Sequence, residues 1–491
     1  MNPPAPSRVT VMGLGNFGGG LAAASHFARQ GSRVVVTDLS REAELKAPIA
    51  ALHQHIQNHT ITLRLGEHHP DDFTNADLIV ASPAVPKPWN NPYLNAASQA
   101  GVPITTETRL GLEQLAPHAF DHSPQHHQTQ VIAITGTAGK STTAAMTHHA
   151  LASLGVNAAL VGNIGTPILD HDLIAKPPDI LVAELSSAQL HWLNAGAGAP
   201  EQPAFLPDIF AITNITPNHL DWHGSQDHYT RSKAAPITAA NANRRELNCI
   251  LSNQALDALA QADIKPTNPT VIDQTQTTAM PPLTTPGEHN RHNAALAAAI
   301  TRAALERSTQ INPNAAATAQ AISELPGLPH RLQIIARTDR LIAINDSKST
   351  TPDSLALAVA AMTSPGMPGP ARTILIAGGH DKGLDPAPAA KAAARCTLTI
   401  TIGAVGKRLA RLIASQGGHA EHAHTLDRAI DRAAAEITRL ARDPEPAAIL
   451  LSPGCASWDQ FTNYEHRGRR FTELITTRLK PAPLTGTPPT T

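Results

Sequence analysis

The sequence predicts an α/β protein built on three mostly parallel sheets with crossover helices. Short β-branched runs that end in Gly, Asp, Asn or Ser alternate with Ala-rich helical segments almost throughout the chain. These runs fall into three clusters along 491 residues. At about 150 residues per domain, this length favours three domains.

Each cluster supplies three or four predicted strands. They are Val9–Met12, Val34–Thr37 and Leu78–Ala81; then Val131–Thr135, Ile180–Ala183, Ile209–Thr213 and Cys249–Ser252; and finally Leu341–Asn345, Thr373–Ala377, Leu398–Ile402 and Ala448–Leu451. The polar stretch 116–129 is expected on the surface without regular structure. Residues 194–207 resemble an inserted flexible loop, and residues 479–491 a disordered tail.

Composition excludes several classes of protein. Lys plus Arg number 38 and Asp plus Glu 39, so the basic surplus of a general nucleic-acid binder is missing. The sequence contains no apolar run of membrane-spanning length and begins with no signal-peptide pattern, and its three cysteines are far apart. A cytoplasmic protein with neither a membrane nor a nucleic-acid partner is expected. Lysine is scarce, with 11 residues, so a lysine within a motif is informative.

A glycine-rich turn follows the first predicted strand. Gly13, Gly15 and Gly18 form the pattern Gly-x-Gly-x-x-Gly before a helix, and Asp38 ends the next strand. In this context the glycines let a diphosphate approach the backbone, and the acid accepts from a sugar hydroxyl. The pattern predicts a site for a diphosphate-linked nucleotide without saying which one. The alternative is a turn in which glycine serves packing alone.

A second glycine-rich loop follows the strand VIAIT and opens a helix. It consists of Gly136, Thr137, Ala138, Gly139, Lys140, Ser141 and Thr142. Backbone N–H groups of such a loop cradle phosphates, the lysine meets the β- and γ-phosphates, and the serine hydroxyl can ligate Mg²⁺. The loop is two residues shorter than the general P-loop, and it predicts an ATP site.

Three further residues are candidates for the site because of their positions in the sequence. Glu184 falls at the carboxyl end of a strand, where ligands of open α/β sheets bind, although it could instead cap the helix after it. His219 follows another strand, and Lys233 lies 14 residues later. Taken alone, His219 is an ordinary histidine among 25, and Lys233 an exposed helix lysine.

A series of motifs along nearly the whole chain resembles the Mur ligases, the ATP-dependent amide ligases of peptidoglycan precursor synthesis. In order they are TGTAGKST, ELSS, NITPNHLD, GEHNRHN, PHRL, NDSKST, GGHDKG and SPGCASWDQF. The last motif favours the members that join D-glutamate to UDP-N-acetylmuramoyl-L-alanine. The resemblance implies a UDP-substrate domain over 1–106, an ATP-binding domain over 107–328 and an amino-acid domain over 329–491. The outer two would be Rossmann-like, the central one P-loop ATPase-like, and the protein a monomer.

The same resemblance implies roles for individual residues. Lys140, Glu184, His219 and Lys233 would be catalytic, with Ser141 and Glu184 holding one Mg²⁺, and His219 with a CO₂-derived carbamate on Lys233 holding a second. ATP would lie between the second and third domains, on the P-loop together with Asn290, Asn293, Arg331 and Asp346. The UDP substrate would contact Gly15, Asn16, Phe17, Asp38, Ser82 and Asn163. D-Glutamate would contact Lys348, Thr350, Lys382, Ser457, Phe461 and Tyr464.

Departures from the family pattern affect contacts more than reaction class. Ala138 stands where the family often has Asn, Trp222 replaces a frequent Arg, and Ala84 a usual Gly. Three alternatives stay open: a ligase of the same superfamily for another amino acid, an NAD-dependent oxidoreductase suggested by the first glycine loop, and a catalytically silent nucleotide-binding protein.

Overall fold

The computed structural model describes residues 6–121, 129–195, 203–307, 314–440 and 444–479. The chain divides into two compact units, one of Met1–Ala279 with Asn293–Ile322 and the other of Met280–His292 with Ser323–Thr491. The first unit holds two sheets and the second holds one. The prediction of three sheets is therefore confirmed, whereas the domain boundaries near residues 106 and 328 remain a prediction.

The first sheet has five parallel strands in the order β3-β2-β1-β4-β5, a doubly wound arrangement. Its strands are β1 Arg8–Met12, β2 Arg33–Asp38, β3 Ile61–Leu65, β4 Leu78–Ala81 and β5 Ile104–Thr105. The helices here are α1 Gly19–Arg29, α2 Lys46–Ala51, α3 His53–Gln57, α4 Pro70–Thr74, α5 Pro92–Gln99, α6 Glu107–Leu115 and α7 His118–Asp121. Ala23, Ala24 and Phe27 of α1 are buried in one core with Val9 and Val11, which fixes α1 behind the first glycine loop.

The second sheet has six parallel strands in the order β11-β10-β9-β6-β8-β7. They are β6 Gln130–Thr135, β7 Ala158–Gly162, β8 Ile180–Glu184, β9 Ile209–Ile212, β10 Asn248–Ser252 and β11 Thr270–Ile272. The helices in this part of the chain are α8 Lys140–Ser153, α9 His171–Ala175, α10 Ser187–Ala195, α11 Leu220–His223, α12 Gln226–Lys233, α13 Ala235–Ala242, α14 Asn253–Gln261, α15 Gln274–Ala279, α16 Glu288–Arg307 and α17 Ala315–Ser323. Because β8 and β9 flank β6, residues at their carboxyl ends meet at the P-loop.

The third sheet is mixed, with the order β12-β13-β17-β14-β15-β16. Its strands are β12 Gln333–Arg337, β13 Leu341–Asn345, β14 Thr373–Gly378, β15 Leu398–Ile402, β16 Ala420–His424 and β17 Ala447–Leu451, of which β12 runs antiparallel to β13. The helices are α18 Pro352–Ala361, α19 Ala387–Ala393, α20 Gly406–Ser415, α21 Leu426–Leu440 and α22 Tyr464–Leu479. Separate hydrophobic cores cover its two faces.

Two local predictions require correction. The stretch 116–129 was expected at the surface without helix, but α7 lies within it, and Ala116, Ala119 and Phe120 pack in the core of the second sheet. The apolar spacing of these three residues explains the burial despite the polar residues around them. The predicted tail begins one residue too early, since Leu479 still ends α22. Residues 196–202 of the predicted insertion and 480–491 of the tail lie outside the described residues.

The described helices include none that combines the length and the apolar character needed to cross a bilayer.

Candidate active site

The P-loop joins β6 to α8 in a conformation that two glycines permit. Gly136 has φ +146°, and a Cβ there would lie 1.9 Å from the Thr213 hydroxyl. Gly139 has φ +83° and caps α8, and a Cβ there would lie 2.4 Å from Oδ1 of Asn293. Side chains at either position would therefore be strained and would clash. The structure brings Asn293 to the loop, together with Ser141 in the first turn of α8.

Asn214, which sequence reasoning missed, closes the first half of the loop. Its Oδ1 accepts from the N–H groups of Thr137 at 3.2 Å and Ala138 at 2.8 Å, and its Nδ2 donates to the Ala138 carbonyl at 2.9 Å. These bonds turn two loop amides toward β9. The amides from Gly139 onward, at the positive end of α8, remain for an anion. A signal existed, since Asn214 stands just beyond the strand beside β6.

Two lysines lie against the same loop. Nζ of Lys140 donates to the Thr137 carbonyl at 3.0 Å, and Nζ of Lys233 donates to the Gly136 carbonyl at 2.7 Å. Lys233 is 1% exposed, so the alternative of an exposed helix lysine is wrong. Burial, followed by repulsion from Lys140, holds the pKa of Lys233 well below its usual range. Its ammonium also lies 4.8 Å from the ring centre of Tyr229.

Glu184 ends β8 and is almost fully buried. Its Oε1 accepts from Nδ2 of Asn163 at 2.8 Å, while its buried Oε2 has no hydrogen-bond partner among the described residues. Asn163, expected to contact the UDP substrate, is thus bonded to the Glu184 carboxylate. A buried, half-satisfied carboxylate is unfavourable unless a cation or donor completes it.

His219 begins α11 with a left-handed φ of +49°. Partial burial lowers its pKa, and Asp221 opposes that shift, so the neutral imidazole that a metal ion needs is favoured. No group of three His, Cys, Asp or Glu side chains suited to a metal occurs within the described ranges. The two ligands predicted for the first Mg²⁺ nevertheless fit the ion, because Glu184 offers an oxygen without a hydrogen-bond partner among the described residues and Ser141 lies in the first turn of α8.

The side chain of Asp38, at the end of β2, is hydrogen-bonded to the first glycine loop. Oδ2 of Asp38 accepts from the Gly15 amide at 3.0 Å, and Oδ1 accepts from the Ser40 amide at 2.8 Å. Asn16 donates to the Glu44 carbonyl at 3.2 Å, whereas the Phe17 side chain is 99% exposed. Ser82 lies directly opposite the loop, since its Cβ would come within 2.8 Å of a Cβ at position 13. The structure therefore gathers the predicted UDP-side residues other than Asn163.

The second unit contains the other predicted ATP residues, Asn290, Arg331 and Asp346. Nδ2 of Asn290 donates to the Pro286 carbonyl at 2.7 Å. The Asp346 carboxyl is buried and accepts from the Leu332 amide at 3.1 Å and the Ser452 hydroxyl at 2.8 Å. Burial raises the pKa of Asp346 to about 7.

Two of the six residues predicted to contact the amino acid line one cleft of the second unit. Thr350 and Lys382 line a cleft together with His380, Asp381, Arg408 and Gly454. The Lys348 ammonium lies 4.9 Å from the ring centre of Tyr464, and the Lys382 ammonium 5.1 Å from that of Trp458. Ser457 is buried beside Trp458. Phe461 packs on the core of the third sheet and is not among the residues that line the cleft.

Sequence reasoning also missed Arg467, a buried residue of α22. Its guanidinium donates to the Ser347 hydroxyl and carbonyl at 3.0 and 2.8 Å, and to the Cys455 carbonyl at 3.0 Å. It therefore ties the loop that carries Lys348 to the loop that carries Ser457. The arginine has no glycine or strand-end signature, so only the folded structure shows its position.

Three family models match successive parts of the chain. They are the Mur ligase MurD-like N-terminal domain at residues 7–106, the Mur ligase middle domain at 134–271 and the Mur ligase glutamate ligase domain at 330–452. Proteins named UDP-N-acetylmuramoylalanine--D-glutamate ligase match from end to end. That of Anaeromyxobacter dehalogenans is 33% identical and that of Koribacter versatilis 31% identical, with 96% and 95% of this chain and 98% and 97% of theirs covered.

A solved structure agrees on the fold. UDP-N-acetylmuramate-alanine ligase from Thermotoga maritima superposes with a TM-score of 0.54 at 18% identity, covering 95% of this chain and 98% of that one.

The fold and the sequence matches define an ATP-binding α/β ligase, and the chain belongs to the Mur ligase family. Within that family, the full-length relatives cited above share the name of the D-glutamate-adding enzyme. The resemblance stated from the motifs is confirmed, and the oxidoreductase alternative is wrong.

Proposed function

We propose that this chain joins the carboxylate of UDP-N-acetylmuramoyl-L-alanine to the amine of D-glutamate, with ATP converted to ADP and phosphate. The observation that carries the proposal is the end-to-end match to relatives named for that reaction. The match includes the Mur ligase glutamate ligase domain at 330–452.

The reaction needs activation because a carboxylate does not react with an amine at neutral pH. The γ-phosphate moves to the substrate carboxylate and gives an acyl phosphate; the amine then attacks the carbonyl carbon, and phosphate leaves the tetrahedral intermediate. The protein must position the reactants and neutralise charge during phosphoryl transfer.

The P-loop supplies most of that charge balance. In our account, the amides from Gly139 to Thr142 bind the phosphates, and Lys140 moves from the Thr137 carbonyl to the β- and γ-phosphates. Asn293 touches the nucleotide beside Gly139, and the other residues proposed for ATP are Asn290, Arg331 and Asp346. The short distance that a Cβ at position 139 would have to Oδ1 of Asn293, 2.4 Å, supports this assignment.

Mg²⁺ would neutralise the phosphates and the transferring group. Ser141 and Glu184 would hold one ion, and His219 with Lys233 a second. The unpartnered Oε2 of Glu184 supports the first site, and the bond from Asn163 fixes the direction of that oxygen.

Carbamylation of Lys233 would supply the anion that the second site lacks. Reaction with CO₂ requires a neutral amine, and burial beside Lys140 favours that form. An ammonium next to Mg²⁺ would instead be repelled. The carbamate N–H could still donate to the Gly136 carbonyl, as Nζ of Lys233 does at 2.7 Å, and the carbamate oxygens would be left for the metal ion.

The remaining proposed contacts are those of the UDP moiety with the first glycine loop and those of the amino acid with the region of Lys348 and Lys382. The UDP moiety would bind Gly15, Asn16, Phe17, Asp38 and Ser82. D-Glutamate, which carries two carboxylates, would bind Lys348, Thr350, Lys382, Ser457, Phe461 and Tyr464. Two lysines near one dianion provide the required charge. We further propose three domains at 1–106, 107–328 and 329–491, a monomeric state and a cytoplasmic location.

Phosphate release from ATP in the presence of UDP-N-acetylmuramoyl-L-alanine tests the substrate assignment. D-Glu, L-Glu, L-Ala, L-Lys and meso-diaminopimelate are supplied separately. We expect release with D-Glu alone and a product of the matching mass. Release with another amino acid would overturn the assignment of Lys348 and Lys382, and release with none would favour a silent nucleotide-binding protein.

A further inference from the structure

Trp458 is the most exposed aromatic side chain of the second unit among the described residues. Its side chain is 65% exposed, in a chain where aromatic residues make up only 3% of the sequence. An indole gains little stability from such a position, since burial is what makes large aromatic rings stabilising. Its position therefore calls for a role other than packing.

The backbone beneath this ring is fixed although the ring is exposed. Oδ2 of Asp459 accepts from the Ala404 amide at 2.9 Å, and Arg467 donates to the Cys455 carbonyl at 3.0 Å. Both bonds hold the loop that carries Trp458. The indole is therefore presented from a rigid loop at the edge of the cleft.

Among the described residues, the Trp458 ring faces the ammonium of Lys382. Nζ of Lys382 lies 5.1 Å from the centre of the Trp458 ring, and the centre of the His380 ring lies 5.7 Å from it. A carboxylate is close by, but Asp381 already pairs with Arg408 at 3.1 Å and accepts from the Gly383 amide at 2.8 Å. In the described part of the chain, Lys382 forms no ion pair.

This arrangement differs in its electrostatic result from an ion pair. A carboxylate would hold the lysine and also cancel its charge, whereas an aromatic face holds an ammonium and leaves its full charge available. The Lys348 ammonium also lies over a ring, that of Tyr464, at 4.9 Å. Both lysines assigned to the amino-acid substrate are thus supported by rings.

We propose that Trp458 is a positioning residue that holds the Lys382 ammonium at the cleft in a charged, unpaired state for a carboxylate of the amino-acid substrate. The inference rests on the proposed function, since it requires Lys382 to bind that substrate. The indole makes no contact with the reacting atoms in this account, and it acts through the lysine alone.

Two substitutions distinguish the effect of an aromatic ring at position 458 from the effect of an apolar side chain there. Trp458→Leu keeps an apolar side chain without a ring, and Trp458→Phe keeps a ring. We expect Trp458→Leu to raise the KM for D-glutamate by about two- to fivefold, the effect of one exposed cation–π contact, with kcat and the KM for ATP unchanged. Trp458→Phe should restore most of the loss. Leu357→Ala, which truncates another exposed apolar residue of the same unit, serves as the control.

A double-mutant cycle tests whether the effect passes through Lys382. Added to Lys382→Met, Trp458→Leu should change the KM for D-glutamate no further. Equal values for the Leu and Phe variants, or an undiminished effect in the Lys382→Met background, would overturn the inference. Wild-type protein that releases no phosphate with D-glutamate would instead contradict the proposed function, so the two failures are distinguishable.

Discussion

Asn163 and Glu184 meet through one oxygen of the carboxylate. Nδ2 of Asn163 donates to Oε1 at 2.8 Å, and Oε2 of the same buried group has no hydrogen-bond partner among the described residues. One half of the carboxylate is thus fixed by the protein, and the other half points where a ligand would complete it. The unpartnered oxygen suits the binding of a cation, and it lowers the stability of the fold as long as nothing is bound.

Substitution of Glu184 by Gln tests whether this carboxylate serves Mg²⁺ binding at the expense of stability. The amide oxygen can still accept from Asn163, but the charge for Mg²⁺ is lost, so kcat should fall by about 100-fold or more. Because a buried carboxylate with one unpartnered oxygen is replaced by a neutral amide, the melting temperature should stay the same or rise. Activity against Mg²⁺ concentration and thermal unfolding measure the two effects. A variant that melts lower and keeps its activity would show that Glu184 is structural; the exposed Glu246→Gln is the control.

Lys233 provides a second prediction through its proposed carbamate. Lys233→Arg keeps a cation that cannot be carbamylated, and activity should fall by about 100-fold or more. Wild-type activity should also decrease in CO₂-depleted buffer and return with bicarbonate. ¹³C NMR with labelled bicarbonate should show a carbamate signal that Lys233→Ala lacks. The same substitution at exposed Lys176 should leave activity intact, and CO₂-independent wild-type activity would contradict the carbamate.

Gly136→Ala examines the P-loop backbone. The added methyl would approach the Thr213 hydroxyl, and the positive φ would be strained, so the free energy of unfolding should fall by at least about 2 kcal/mol. Gly155, with φ +82° and open space around it, is the matched control, and its Ala variant should lose only about 1 kcal/mol. Urea unfolding gives both values. Equal losses at the two positions would mean that the loop relaxes around the methyl.

Asp346 gives a pH dependence with a defined sign. Its pKa is raised from 3.8 to about 7 in the folded protein, so the folded state binds the proton more tightly than the unfolded state. Stability from this group is complete below pH 4 and is lost as the pH rises to about 7, on the order of 1 kcal/mol per pH unit. Asp346→Asn keeps both hydrogen-bond partners and removes the titration. The variant should therefore gain stability over wild type from pH 5 to 8, as thermal unfolding would show.

The exposed Asp339→Asn variant is the control for that experiment. It should follow the wild-type melting temperature at every pH. A stability difference between Asp346→Asn and wild type that does not change with pH would contradict the raised pKa.

The central strands of each sheet were predictable, and the edge strands were not. The strands without a prediction are β3, β5, β7, β11, β12 and β16, which are the two edges of each sheet. A central strand such as Ile180–Glu184 is buried at every position, whereas β16, AEHAH, is at least partly exposed throughout. The hydrophobic run that marks a buried strand is therefore weak or absent at the edges.

The candidate site divides in a similar way. Positions at the carboxyl ends of parallel strands, such as Asp38 and Glu184, were predictable because strand order and ligand edge follow from the topology. Contacts that depend on side-chain direction were not. The bonds of Asn214 to the P-loop and the position of Lys382 over Trp458 join segments that are distant in sequence, and no local pattern encodes them.

Transfer of oxygen from the substrate tests the central claim most directly. UDP-N-acetylmuramoyl-L-alanine labelled with ¹⁸O in its free carboxylate is incubated with ATP, Mg²⁺ and D-glutamate, and phosphate and product are analysed by mass spectrometry. Activation as an acyl phosphate predicts one ¹⁸O atom in the released phosphate and one in the new amide. Unlabelled phosphate, or release of phosphate without amide formation, would contradict the account.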